Sequence, residues 1–197
     1  MASVVVPFRG SDPKQRLAMG EAARRALADA MLADVVAAAA AVGPVLVVAP
    51  RGTRLPAGAT LVADPRRGQG AAVRAGLGAA TAAALPGPYL VVNADLPCVD
   101  ARDLLALAGA APAGGIALVA AADGTTNALA FADPSIFEPV YGPRSSDRFA
   151  ALGPSTRLDA PNLVDDVDTL ADLARLGGRV GEHTRRVLTS LDLPSAA

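Results

Sequence analysis

Short apolar runs alternate with longer, helix-like stretches through the first two-thirds of the chain. Ser3 to Val6, Val45 to Val48, Thr60 to Val62 and Tyr89 to Asn93 are each only a few residues long and lie close to proline or glycine. Between them the pattern predicts helices over about Pro13 to Ala41 with a break near Leu32, Gly70 to Ala84, and Val99 to Gly109. Buried strands of this length, separated by helices, predict βαβ units and a mostly parallel sheet with helices on both faces.

The rhythm changes after Gly115. Ile116 to Ala121 and Ala128 to Phe131 read as strands joined by the turn Asp123-Gly124-Thr125-Thr126-Asn127, a small β-hairpin insertion in the C-terminal third. Helices are expected near Ser145 to Leu152, Thr169 to Leu176 and Gly181 to Ser190, the last exposed at the terminus. With no internal repeat and no long linker, the 197 residues are expected to form one α/β domain of Rossmann-like type.

Composition narrows the partners. The formal charge of −1 argues against a nucleic-acid binder, which normally carries a basic excess. No apolar run nears the ~20 residues needed to cross a bilayer, so no membrane partner is expected. The segment MASVVVPFRG lacks the form of a secretory signal, and a single cysteine suits a cytoplasmic setting. A small-molecule ligand is the expectation that remains.

In an open parallel sheet, ligands gather beyond the carboxyl ends of the strands, where loops and helix starts converge. Four loops of this sequence fall there. The first carries Arg9, Gly10, Lys14 and Arg16 and can hold a triphosphate through cations and backbone N–H groups, or it is a solvated helix entry. It is neither a P-loop nor a GxGxxG turn. The second offers Gly68 and Gly70 at a helix start, as turn makers or as a close approach to a nucleotide. The third places Asp95 directly after the Tyr89 to Asn93 strand. A hard carboxylate beside phosphates is a usual way to hold Mg2+, and Asp100 is better spaced to cap the following helix. The fourth is the acidic run Asp165, Asp166 and Asp168, where Asp168 and Thr169 form either a helix cap or a second metal-binding position. The single histidine, His183, reads as a surface or packing residue, and Cys98 as a small buried hydrophobe.

Four segments, in order, carry a resemblance: VVNADLPCV around Asp95; Gly124-Thr125-Thr126-Asn127-Ala128-Leu129, like a GTNAL turn; Tyr141-Gly142-Pro143-Arg144-Ser145, like FGPGS; and Val167-Asp168-Thr169-Leu170-Ala171-Asp172-Leu173, like a DTPADL ending. Together they resemble the GT-A-like nucleotidyltransferases, and within them the 2-phospho-L-lactate or phosphoenolpyruvate guanylyltransferases of coenzyme F420 biosynthesis. The resemblance implies a nucleotide-binding part over about residues 1–112 and an acceptor-binding part over about 113–197. It implies GTP held by Arg9, Gly10, Lys14, Arg16, Gly68, Gly70 and Asn93, with Asp95, Lys14 and Arg16 carrying catalysis. It further implies Mg2+ on Asp95 and Asp168, with Asp166 as a competitor, and a small phospho-carboxylic acid on Thr126, Gly142 and Ser145. Without the resemblance, Thr126 reads as a hairpin residue and Ser145 as a helix N-cap. Departures from the family pattern are Arg9 for lysine, Thr125 for glycine and Leu170 for proline. The alanine- and arginine-rich composition resembles that of actinobacterial proteins, which favours phosphoenolpyruvate. Alternatives are a molybdopterin guanylyl- or cytidylyltransferase and a non-catalytic nucleotide-sensing module.

Overall fold

The computed structural model describes residues 1–10, 17 and 19–191. Lys14 and Arg16, and the expected helix start at Pro13, lie outside the described residues. The described strands form one seven-stranded sheet in the order β3-β2-β1-β4-β6-β5-β7. They are β1 Ser3–Pro7, β2 Val45–Ala49, β3 Ala59–Ala63, β4 Tyr89–Val92, β5 Ile116–Ala120, β6 Thr126–Phe131 and β7 Ser155–Arg157. The helices are α1 Glu21–Ala40, α2 Gln69–Ala82, α3 Ala101–Ala110, α4 Ser145–Ala150, α5 Pro161–Val164, α6 Leu170–Leu176 and α7 Glu182–Ser190.

Parallel pairing joins β1 to β2 and β4, β2 to β3, and β5 to β7; only β6 pairs in the antiparallel sense, with β4 and β5. The hairpin expected after Gly115 is therefore part of the central sheet. Because β6 runs the other way, its first residues, Thr126 and Asn127, reach the edge where β1 and β4 end.

Side chains along β1 alternate between faces, as the two-residue period of a strand requires. Val4 and Val6 join a core with α1, α3 and α5, while Val5 joins the opposite core with α2 and α4. A third cluster draws Leu27 and Met31 of α1 together with Val167, Leu173 and Leu188, and so packs α6 and α7 against α1.

Three expectations change. α1 is continuous through Leu32, since nothing there interrupts the helical pattern. β7 and α5 were not foreseen, because a three-residue strand and a one-turn helix carry no periodicity to detect. α7, expected as exposed, is anchored at its start: the buried carboxylate of Asp34 in α1 accepts the backbone N–H groups of His183 and Thr184, both at 2.9 Å. A methyl group on Gly181 would sit 2.3 Å from Asp34 Cγ, so only glycine leaves room for that contact. His183 lies in the first turn so capped and is exposed, which agrees with the surface reading.

Candidate active site

The strand order reverses direction beside β1, with β2 and β3 on one side and β4 on the other. At such a switch point the loops leaving the strands part and open a crevice. A cavity of about 210 Å³ occupies it. Its apolar side comes from Phe8, Ala28 and Met31, and its polar side includes Arg9, Gly10, Gln69, Asn93 and Asp95. The Arg9 side chain reaches across to the second loop, where a methyl group on Gly68 would lie 3.8 Å from its Nη2. The first and second loops thus face the same crevice.

Gly68, at φ +94°, holds a backbone conformation that favours glycine just before α2. Gly70 has another explanation. A methyl group there would lie 2.3 Å from Pro139 Cβ, so its missing side chain is accounted for by packing of α2 on the segment before α4.

Asp95, Asp166 and Asp168 each offer a carboxylate oxygen, and these oxygens lie within 4.8 Å of one another. A backbone bond sets this meeting: the N–H of Val167 donates to the Asp95 carbonyl at 3.1 Å, placing the residues on either side of Val167 against Asp95. Neighbouring acids are diverted elsewhere. Asp100 caps α3 through the N–H groups of Arg102 and Asp103 at 2.7 and 3.0 Å. Asp165 turns to Arg175 and to Arg179, the latter at 3.4 Å. Thr169 caps α6 in a reciprocal box with Asp172, so the cap is Thr169 and not Asp168.

Choosing between Asp166 and Asp168 is unnecessary in this geometry, since both join the cluster. Burial pushes the Asp166 carboxyl up to about 6, and the charges of Asp95 and Asp168 act in the same direction. Three acids gathered at a site with Arg9 on its rim make a hard-oxygen donor set suited to a divalent cation.

Asn127 was not singled out in the sequence. Buried at the start of β6, its side-chain amide donates to the carbonyls of Leu163 and Val164, both at 3.0 Å, and accepts from Asn93 Nδ2 at 3.3 Å. It thus fixes the end of α5, directly before the acidic run. The available signal was one amide within the otherwise mainly apolar TNALAF. Gln69, which donates to Asn93 Oδ1 at 2.9 Å, gave no such signal.

The expected acceptor residues converge beside this group. Thr126 is the first residue of β6, not a turn residue, and its hydroxyl lies 3.0 Å from that of Ser145. Both are buried, at 3% and 1% exposed. Arg144 occupies the cap position of α4, with Ser145 one residue inside. Gly142 adopts φ +113°, and Arg148 holds its loop by donating to the carbonyls of Val140 and Tyr141 at 3.0 and 2.9 Å. Ser146 Oγ and N both donate to Gly124 O, tying the hairpin turn to α4.

The MobA-like NTP transferase domain model matches residues 8–188. The chain belongs to this family. The chain is similar to a 3-phospho-D-glycerate guanylyltransferase of Phenylobacterium zucineum, 35% identical over 97% of each chain, and to a phosphoenolpyruvate guanylyltransferase of Streptomyces scabiei, 34% identical over 98% of each. A 2-phospho-L-lactate guanylyltransferase of Natrialba magadii is 32% identical over 88% of this chain and 82% of its own. Among solved structures, a protein from Desulfovibrio desulfuricans superposes with a TM-score of 0.70 at 16% identity, over 98% of this chain and 96% of its own. That likeness shows the fold. The family match and the sequence relatives make this MobA-like chain a nucleotidyltransferase, and its fold is of GT-A-like type. Among the described residues, no helix is long and apolar enough to cross a membrane.

Proposed function

We propose that the protein is a guanylyltransferase that moves GMP from GTP to the phosphate of a small phospho-carboxylic acid, with phosphoenolpyruvate as the first choice, in coenzyme F420 biosynthesis. The observation that carries this is the three-carboxylate cluster at the switch-point crevice, beside a cation and an apolar wall. The names of the long-matching relatives supply the reaction and the range of acceptors. The whole chain acts as one domain, with the nucleotide on the 1–112 side and the acceptor on the 113–197 side, in the cytoplasm.

A phosphate oxygen of the acceptor attacks the α-phosphorus of GTP, and the bond to the β,γ-pyrophosphate breaks in line. An acceptor phosphate is already a competent nucleophile at neutral pH, so no general base is required. Asp95, Asp166 and Asp168 would hold Mg2+, which when bound supplies charge neutralisation on the phosphates. Arg9 neutralises phosphate charge from the first loop, where Lys14 and Arg16 also act. Thr126, Gly142 and Ser145 take the acceptor. The two buried hydroxyls satisfy each other in this structure, so the acceptor replaces their mutual hydrogen bond.

A second acceptor, 3-phosphoglycerate, is favoured by the Phenylobacterium zucineum relative. Incubation with GTP, Mg2+ and each of phosphoenolpyruvate, 2-phospho-L-lactate and 3-phosphoglycerate, followed by pyrophosphate release, tests the reading. Turnover with one acid identifies the acceptor, and silence with all three rejects the reading.

A further inference from the structure

Three side-chain amides form a chain from the acidic loop to the crevice: Asn127, Asn93 and Gln69. Which end of an amide donates is often ambiguous, but here the backbone decides it. Asn127 faces two carbonyl oxygens, those of Leu163 and Val164 at 3.0 Å, so its Nδ2 must point to them and its Oδ1 to Asn93. Asn93 then presents Nδ2 to that oxygen, and the same nitrogen faces a second fixed acceptor, the Thr126 carbonyl, at 3.3 Å. Its Oδ1 is thereby turned to Gln69, which must donate Nε2 to it, at 2.9 Å. No amide in the chain can flip without setting oxygen against oxygen.

The consequence falls on Gln69, which lines the crevice at the start of α2. The bond to Asn93 uses one of the two Nε2 hydrogens and fixes which way the amide faces, so Oε1 is left to a ligand as an acceptor of fixed orientation. Phe8, Ala28 and Met31 provide the apolar surface that the face of a planar base needs.

We propose that Gln69 is a base-specificity residue whose oriented Oε1 accepts from the N1–H and N2–H groups of a guanine seated in the crevice, and that Asn93 and Asn127 act through it as positioning residues. This deepens the guanylyltransferase reading and rests on it for the purine nucleotide. Adenine brings an unprotonated N1 and a C2–H to the same edge. Its N1 lone pair meets the Oε1 lone pair, so the site that pairs with guanine repels adenine.

The test is displacement of a fluorescent GDP analogue by GTP, ITP and ATP, in the presence of Mg2+, from the wild-type chain and from Gln69→Met. Methionine keeps the length and the helix preference of glutamine but has no amide. The expected result is a loss of about tenfold or more in affinity for GTP, a smaller loss for ITP, which lacks the N2 amino group, and no loss for ATP, so that the GTP-over-ATP preference shrinks. Asn93→Leu, which frees the Gln69 amide to turn, should reduce the same preference while Gln69 itself is present. Melting temperatures of both variants establish that the fold persists.

An unchanged GTP-over-ATP preference in a folded Gln69→Met protein overturns the proposal, as does an equal loss for both nucleotides. Binding is read without any acceptor. If wild-type protein selects GTP and Gln69→Met does not, yet no acid gives pyrophosphate release, the transferase reading fails and the role of Gln69 stands. If turnover is present and selectivity survives the substitution, the reverse holds.

Discussion

The backbone N–H of Val167 donates to the carbonyl of Asp95 at 3.1 Å, across 72 positions of chain. This contact joins the end of β4 to the loop before α6 and places Asp166 and Asp168 beside Asp95. The Gly181 N–H donates to the Pro97 carbonyl at 2.7 Å, so the start of α7 braces the same turn from the other side. The carboxylate cluster is therefore held by backbone bonds as well as by side chains.

Removing a cluster carboxylate should remove both cation binding and chemistry. Asp95→Asn and Asp168→Asn are each expected to lower turnover at least about 100-fold, with a matching loss of Mn2+ affinity. Paramagnetic titration with Mn2+ reads the binding without reference to activity. Mn2+ bound as tightly by both variants as by the wild type would exclude the cluster as the metal site.

Asp166 makes stability depend on pH in the metal-free protein. Its carboxyl is raised from 3.8 to about 6, chiefly by burial and then by Asp95. A raised acid stabilises the fold fully below its unfolded value, and that stabilisation is lost as pH climbs through about 6. Asp166→Asn, neutral at every pH, should therefore raise the melting temperature in chelator at pH 7.5 more than at pH 4. Added divalent cation should stabilise the wild type more at pH 7.5 than at pH 5, because the cation competes with the proton. Equal effects at both pH values would contradict this.

Tyr141 offers a gain in stability. Its hydroxyl is buried with no hydrogen-bond partner among the described residues, beside Phe149 at a ring distance of 5.0 Å, and burial holds its ionisation far above the usual range. Tyr141→Phe deletes an unsatisfied polar atom and should leave stability unchanged or improve it by up to about 1 kcal/mol in urea denaturation. A clear loss would mean the hydroxyl has a partner in solution.

The anchor of α7 should be costly to disturb. Asp34→Ala leaves two N–H groups without their acceptor and is expected to cost about 2 kcal/mol. Gly181→Ala forces a methyl group onto the Asp34 carboxylate and should cost about 1–3 kcal/mol. Both are read by chemical denaturation. If neither substitution shifts the midpoint, α7 contributes nothing to the fold that is measured.

Thr126→Val tests the acceptor side. It removes a hydroxyl whose partner, Ser145 Oγ, is also buried. The expected outcome is a KM for the phospho-acid raised about tenfold with the KM for GTP little changed. A rise only in the KM for GTP would move the acceptor elsewhere.

The apolar runs by themselves determined β1, β2 and β4, because a strand buried on both faces must be apolar at nearly every position. The same period placed Asp95 at the strand edge, and the spacing of Asp100 freed it from capping. Sequence spacing did not determine where β6 would go. A hairpin reads the same whether it stands apart or joins the sheet, and its insertion beside β4 brings Asn127 to the site. Nor did sequence separate Asp166 from Asp168. Both lie in one acidic run, and the Val167 to Asp95 bond brings both to Asp95, while capping engages Asp100 and the arginines engage Asp165. Gln69 and Asp34 were illegible for the same reason. An isolated polar residue on a helix looks solvated until the tertiary structure covers it, and its partners are then 24 and about 150 positions away. Local pattern fixes which elements form and which faces are buried; long-range hydrogen bonding decides which polar groups meet, and that meeting makes the site.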